Sequence, residues 1–199
     1  MFIFFNFTLL ISVISFTFVF VFIFVFRKYQ EQDLENLDSL DIVAPASGKI
    51  ISIRENIDCD QLGRNLTEIR IAVSWFSEFG LRMPFDSKVN NIISQNGLSL
   101  LRFSKLNHIV NLQDFQHSCI ILKGLASELL FGIKVIKCPL GGSHALQILP
   151  GDKGKKGAIF GYLPFGGTLF IYLKNNSRVI CNIGDKVCAT KSVLATSNS

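Results

Sequence analysis

No Cys-x-x-Cys pair occurs in the 199-residue chain, and its five cysteines, Cys59, Cys119, Cys138, Cys181 and Cys188, are odd in number. That argues against a disulfide frame and a zinc site, and for reduced, packed thiols. A basic tract is missing too. Lysine and arginine are scattered, with Lys153, Lys155 and Lys156 the one dense group, so the formal net charge of +5 outlines no phosphate track and no nucleic-acid partner is expected. Charge is absent altogether from residues 2–26, where ten side chains are Phe and most of the rest are Ile, Val or Leu. A stretch of this length can cross a hydrocarbon core of roughly 30 Å. It has neither the basic n-region nor the small-residue cleavage site of a removable signal, and Arg27-Lys28 follows directly. Residues 1–28 are therefore read as one transmembrane anchor. The protein would be single-pass, with its body on the cytoplasmic side because basic residues follow the span and none precedes it. An anionic bilayer surface is the natural counterpart of the positive body.

The chain has room for one domain beside that appendage. Residues 29–41 alternate acids (Glu31, Asp33, Glu35, Asp38, Asp41) with Leu34, Leu37 and Leu40, a short linker with a weak helical stripe. From Ile42 the pattern becomes strand-like. Pro45-Ala46-Ser47-Gly48 leads into the β-branched run Lys49–Arg54, and Pro84-Phe85-Asp86-Ser87 leads into Lys88–Ile93, so two prolyl turns each launch a strand and suggest an internal repeat. Gly151-Asp152-Lys153 and Gly184-Asp185-Lys186 form a second echo. The apolar run Ile120–Ile136 divides at Gly124 and Gly132 into strand, break and strand, and Asn96–Asp114 reads as a loop with short strand pieces. The expected fold is mainly β, a compact barrel-sandwich hybrid-like body over residues 42–199. Lipoyl and biotinyl carriers share such Gly-Asp turns. Neither Lys49 nor Lys88 has the small or methionine flanks of a swinging-arm lysine, so a carrier is not expected.

Gly151–Leu173 reads as turn, strand, tight glycine turn, strand, with Phe165-Gly166-Gly167-Thr168 opening the apolar stretch Leu169–Leu173. Its pattern, G-D-K-x-x-x-G-x-x-F/I-G-x-x-x-F-G-S-x-x-x-x-Y-L, resembles without a gap the processing region of phosphatidylserine decarboxylases. The passage from a hydrophobic anchor to the body also resembles the short, membrane-anchored members of that family. The likeness extends over residues 44–54, 69–89, 124–136 and 151–195.

The resemblance implies a definite chemistry. In the family a serine attacks the preceding glycine carbonyl, elimination leaves a pyruvoyl ketone, and that ketone forms a Schiff base with phosphatidylserine and accepts the electrons left by carbon dioxide. A histidine base and an orienting aspartate are needed. Of these four parts the glycine matches Gly166. Gly167 stands where the family has the serine, Ser47 where the P-A-D-G-K turn has the aspartate, and Phe79 where S-P-x-D-V-H-V-N-R-A-P has the histidine, with Arg82 and Pro84 keeping the register. Glycine has no β-carbon and can neither attack nor become a ketone, so no pyruvoyl cofactor is expected. The resemblance thus implies a non-catalytic relative in phospholipid biosynthesis, with membrane phospholipid as partner and a homo-oligomer or pairing with an active paralogue as its assembly. The alternative is an active decarboxylase, making phosphatidylethanolamine, with an atypical processing site: Thr168 attacking the Gly167 carbonyl, or Gly142-Ser143-His144. His108 and His117 are further potential bases, and each histidine has a plain structural reading.

Overall fold

The computed structural model of the chain describes residues 11–21, 38, 41–74, 77–97, 117–125, 129–137, 145–174 and 177–197. Two units separate, Met1–Glu31 and Gln32–Ser199. In the first, residues 11–21 are an exposed helix in which Thr17 Oγ1 donates to the Val13 carbonyl at 2.8 Å, a bond back to its own helix. Among the described residues no helix is long and apolar enough to cross a membrane. The remainder of the 1–28 span, most of the 29–41 linker and the Asn96–Asp114 loop, except residues 96–97, lie outside the described residues.

In the second unit all regular structure among the described residues is β. The strands are β1 (Asp41–Val43), β2 (Gly48–Cys59), β3 (Gly63–Val73), β4 (Gly80–Arg82), β5 (Ser87–Gln95), β6 (His117–Gly124), β7 (Leu130–Lys137), β8 (Ala145–Leu146), β9 (Lys153–Gly154), β10 (Ile159–Tyr162), β11 (Gly167–Lys174), β12 (Ser177–Val179), β13 (Lys186–Val187) and β14 (Val193–Ser197). Eight of them form one sheet in the order β13-β2-β3-β11-β7-β6-β5-β9. The others form two three-stranded sheets, β1-β14-β12 and β4-β10-β8. The body is mainly β, as its pattern predicts.

Strand β11 lies inside the large sheet between β3 and β7, with Leu169 opposite both Ile71 and Val135. Leu169, Ile171 and Leu173 enter the main core with Ile69, Ile133 and Ile120. Phe170 and Tyr172 enter a second cluster with Leu66 and Ile136. Burial on both faces explains why this stretch is continuously apolar instead of alternating. The break within Ile120–Ile136 occurs after Gly124 as expected, but Gly132 is no break. It lies inside β7, and a β-carbon there would collide with the Leu62 side chain, which packs over the strand from the β2–β3 hairpin.

The internal repeat is real and extends further than the two prolyl turns. Val43 N–H donates to the Pro84 carbonyl and Arg82 N–H to the Pro45 carbonyl, so the two turns cross reciprocally. Each prolyl-turn strand then receives one Gly-Asp turn. Gly184 N–H donates to Ile50 O and Ile50 N–H to Asp185 O; in the other half Gly151 N–H donates to Val89 O and Val89 N–H to Asp152 O. Both glycines have φ near +100°, a conformation that favours glycine. The aspartates close both turns, Asp185 Oδ2 accepting from Asn182 N–H and Asp152 Oδ2 from Leu149 N–H, each at 2.8 Å.

Candidate functional site

Short contacts gather the chain around the glycine turn. Leu163 N–H donates to the Phe79 carbonyl at 2.8 Å, and Gly166 N–H to the Leu163 carbonyl at 3.3 Å, so Phe79 and Gly166 stand at one tight turn. Phe165 and Gly166 both have positive φ, +61° and +73°. At Gly166 the reason is also steric, because a β-carbon would strike the Val73 carbonyl oxygen. Gly167 begins β11 opposite Val73 on one side and Lys137 on the other. A β-carbon on Gly167 would lie 2.5 Å from the Ile136 carbonyl oxygen and 3.2 Å from Leu163 Cδ2. Glycine is therefore what the packing at position 167 accepts. Since Gly167 offers no carbon from which a ketone could be made, the residues at this turn do not fit a pyruvoyl group.

The other predicted positions divide. Thr168 is fully buried, and its hydroxyl has no hydrogen-bond partner, so no base contacts it. Ser47 is two strands away: Lys49 of β2 is opposite Ala72 of β3, and Ala72 is opposite Thr168, a spacing of roughly 10 Å. Its hydroxyl accepts the Ala189 N–H at 2.9 Å, a turn-closing bond. Phe79 is half-buried and reaches the turn through its backbone. His117, at the start of β6, is buried and is separated from Thr168 by Ile136, which faces both across β7. Ser143, His144 and His108 lie outside the described residues. The structure thus brings Phe79, Gly166, Gly167 and Thr168 to one end of β11 and leaves Ser47 apart.

Two buried ion pairs went unmarked in the sequence reading. Glu68 and Arg70 alternate with Ile69 and Ile71 on β3 and so face away from the main core; Arg70 Nε donates to Glu68 Oε1 at 2.6 Å, and Arg54 Nη2 to the same oxygen at 2.8 Å. The Arg70 guanidinium lies 4.9 Å above the Phe170 ring. Tyr172, opposite Glu68, keeps its proton well beyond the ordinary phenol range, first through burial and then through the Glu68 charge. The period-two alternation of Glu68 and Arg70 within an apolar strand was the available signal. The second pair, Arg82 with Glu78, is anchored further by Arg82 Nη1 donating to the Gly157 carbonyl at 3.2 Å. Both networks bind their elements together at the cost of desolvating charge, with Glu68, Arg70 and Arg82 buried and Arg54 left open to solvent.

The cysteines behave as packed thiols. Cys59, Cys119, Cys181 and Cys188 are free, and Cys138 lies outside the described residues. Burial pushes Cys119 up to about 12 and Cys181 up to about 11, which removes thiolate reactivity at neutral pH. Among the described residues no group of His, Cys, Asp and Glu could hold a metal ion.

Fold and turn together define an antiparallel β domain whose turn at Gly166-Gly167 is sterically committed to glycine. No family model matches the chain. Curated proteins do. It is 26% identical over 159 residues to the phosphatidylserine decarboxylase proenzyme of Syntrophus aciditrophicus, covering 78% of this chain and 70% of that one. The proenzymes of Geobacter metallireducens and Nitrosomonas europaea are each 28% identical, over 157 and 165 residues, covering 77% of this chain and 67% and 68% of theirs. The chain is thus similar to phosphatidylserine decarboxylase proenzymes, the family that its glycine turn region resembles.

Proposed function

We propose that the protein is a non-catalytic, divergent relative of phosphatidylserine decarboxylase with a role in phospholipid biosynthesis. Its uncharged segment 2–26 attaches it to a membrane as a single-pass anchor, and its body, a barrel-sandwich type of domain, stands on the cytoplasmic side. The crossed prolyl turns favour that fold type, because they draw together the strands near opposite edges of the eight-stranded sheet. Its partner is membrane phospholipid, and assembly is with itself or with an active paralogue.

The observation that carries the loss of catalysis is Gly167. The position matched to the processing serine has no β-carbon, and the Ile136 carbonyl oxygen occupies the region into which one would project. Thr168, the nearest hydroxyl, is sealed in the sheet without a base.

The intact mass of the full chain, extracted in detergent, tests this reading. One species at 22.2 kDa is expected. Two fragments would overturn the proposal, and the new amino-terminal group on the smaller one would distinguish Thr168 from Ser143. Gly167→Ser is expected to remain uncleaved, since it restores an alcohol without a histidine at Phe79. It should also lose about 1–3 kcal/mol of stability through overpacking.

A further inference from the structure

Lys88, Lys123 and Lys153 are far apart in the chain, yet the strand register sets them in one row. Lys88 on β5 is directly opposite Lys123 on β6 and Lys153 on β9. All three are exposed. Side chains facing each other this way have Cβ atoms about 5 Å apart, and like charges so placed repel. Among the described residues no carboxylate forms an ion pair with Lys88 or Lys153. The two nearest acids in the chain are engaged in turns, Asp86 accepting from Lys156 N–H and Asp152 from Leu149 N–H. Lys155, exposed beyond β9, adds a fourth positive group. Two residues after Lys123 and four before Lys153 the chain exposes large apolar side chains, Leu125 at 48% and Leu149 at 70%.

We propose that this lysine row, with Leu149 and Leu125, is a docking surface for the anionic face of a phospholipid bilayer. Lysines that repel one another are stabilised by a sheet of phosphate and carboxylate headgroups, and exposed aliphatic tips beside them enter the headgroup–acyl boundary. Nucleic acid fits less well. Leu149 and Leu125 offer it nothing, and among the described residues no exposed aromatic side chain lies on β5, β6 or β9 for bases to stack on. The surface rests on the proposed membrane partnership and is independent of the loss of catalysis, because a self-cleaving chain would present the same row.

The test is amine labelling, followed by mass spectrometry, of the full chain reconstituted in vesicles. Phosphatidylcholine alone is compared with equimolar phosphatidylcholine and phosphatidylserine, at low and high salt. The expected result is that Lys88, Lys123 and Lys153 label about five-fold or more slowly on the phosphatidylserine vesicles and recover in high salt, following the attraction of each lysine to an anionic surface. The repeat-related pair Lys49 and Lys186, which are opposite each other beside uncharged Ala72, is the internal reference. Equal labelling of the row on both vesicles would overturn the proposal, as would equal protection of Lys49 and Lys186. Protection by RNA but not by vesicles would overturn it in favour of a nucleic-acid surface.

Discussion

Thr168 carries a cost that its sequence position does not reveal. A hydroxyl buried without a partner forfeits its hydration, about 1–3 kcal/mol, and Thr168 Oγ1 is both buried and unpartnered. Thr168→Val, which keeps the shape and removes the polar atom, should therefore stabilise the body by about 1 kcal/mol, read as a higher urea midpoint at unchanged slope. A loss of stability would show that the hydroxyl has a partner in solution. The same residue was a candidate nucleophile because of the resemblance and its place after Gly166-Gly167, since a hydroxyl beside a glycine pair is all a sequence can display. Whether a base touches it is decided by β7, which inserts Ile136 between Thr168 and His117.

At the scale of elements, the repeat gives Ser47 and Asp86 equivalent jobs. Ser47 Oγ accepts the Ala189 N–H at 2.9 Å, and Asp86 Oδ1 accepts the Lys156 N–H at 2.7 Å, each three residues beyond the lysine of its Gly-Asp turn. Ser47→Ala should cost about 1 kcal/mol in chemical denaturation by leaving that N–H unmet. Ser47→Asp should keep full stability, because Asp86 shows that an aspartate fits the bond in this turn. A cost from Ser47→Asp equal to that of Ser47→Ala would refute the equivalence. The prolyl and Gly-Asp turns were legible because Pro and Gly fix backbone conformation locally. Which Gly-Asp turn joins which prolyl strand was not legible, since it is set by hydrogen bonds between segments more than sixty residues apart. Gly132 was misread as a break for a related reason: its glycine answers to Leu62, a neighbour in space.

For the whole molecule, alkaline pH is the informative variable. The Cys119 thiol has an ordinary value of 9.0 and is raised to about 12 by burial, with smaller effects from Cys59 and Lys134. Between those values the unfolded chain has released a proton that the folded chain still holds, so stability is full below pH 9 and falls as pH rises toward 12. Tyr172, also raised, acts in the same direction above its ordinary value of 10.0. Denaturant midpoints measured across this range should decline for the wild type and decline less steeply for Cys119→Ala. Equal slopes would mean that the thiol is not buried.

What the sequence determined by itself is local: a mainly β body, its turns, the apolar strand Leu169–Leu173, and a glycine spacing that relates the chain to phosphatidylserine decarboxylases. Such features depend on backbone preference and on the alternation of apolar side chains, both carried by neighbouring residues. Tertiary structure decided the rest. It placed the Ile136 carbonyl against Gly167, closed Thr168 away from any base, and assembled Lys88, Lys123 and Lys153 into one row. Each of these depends on which strands pair and in what register, and register is fixed by the packing of the whole core.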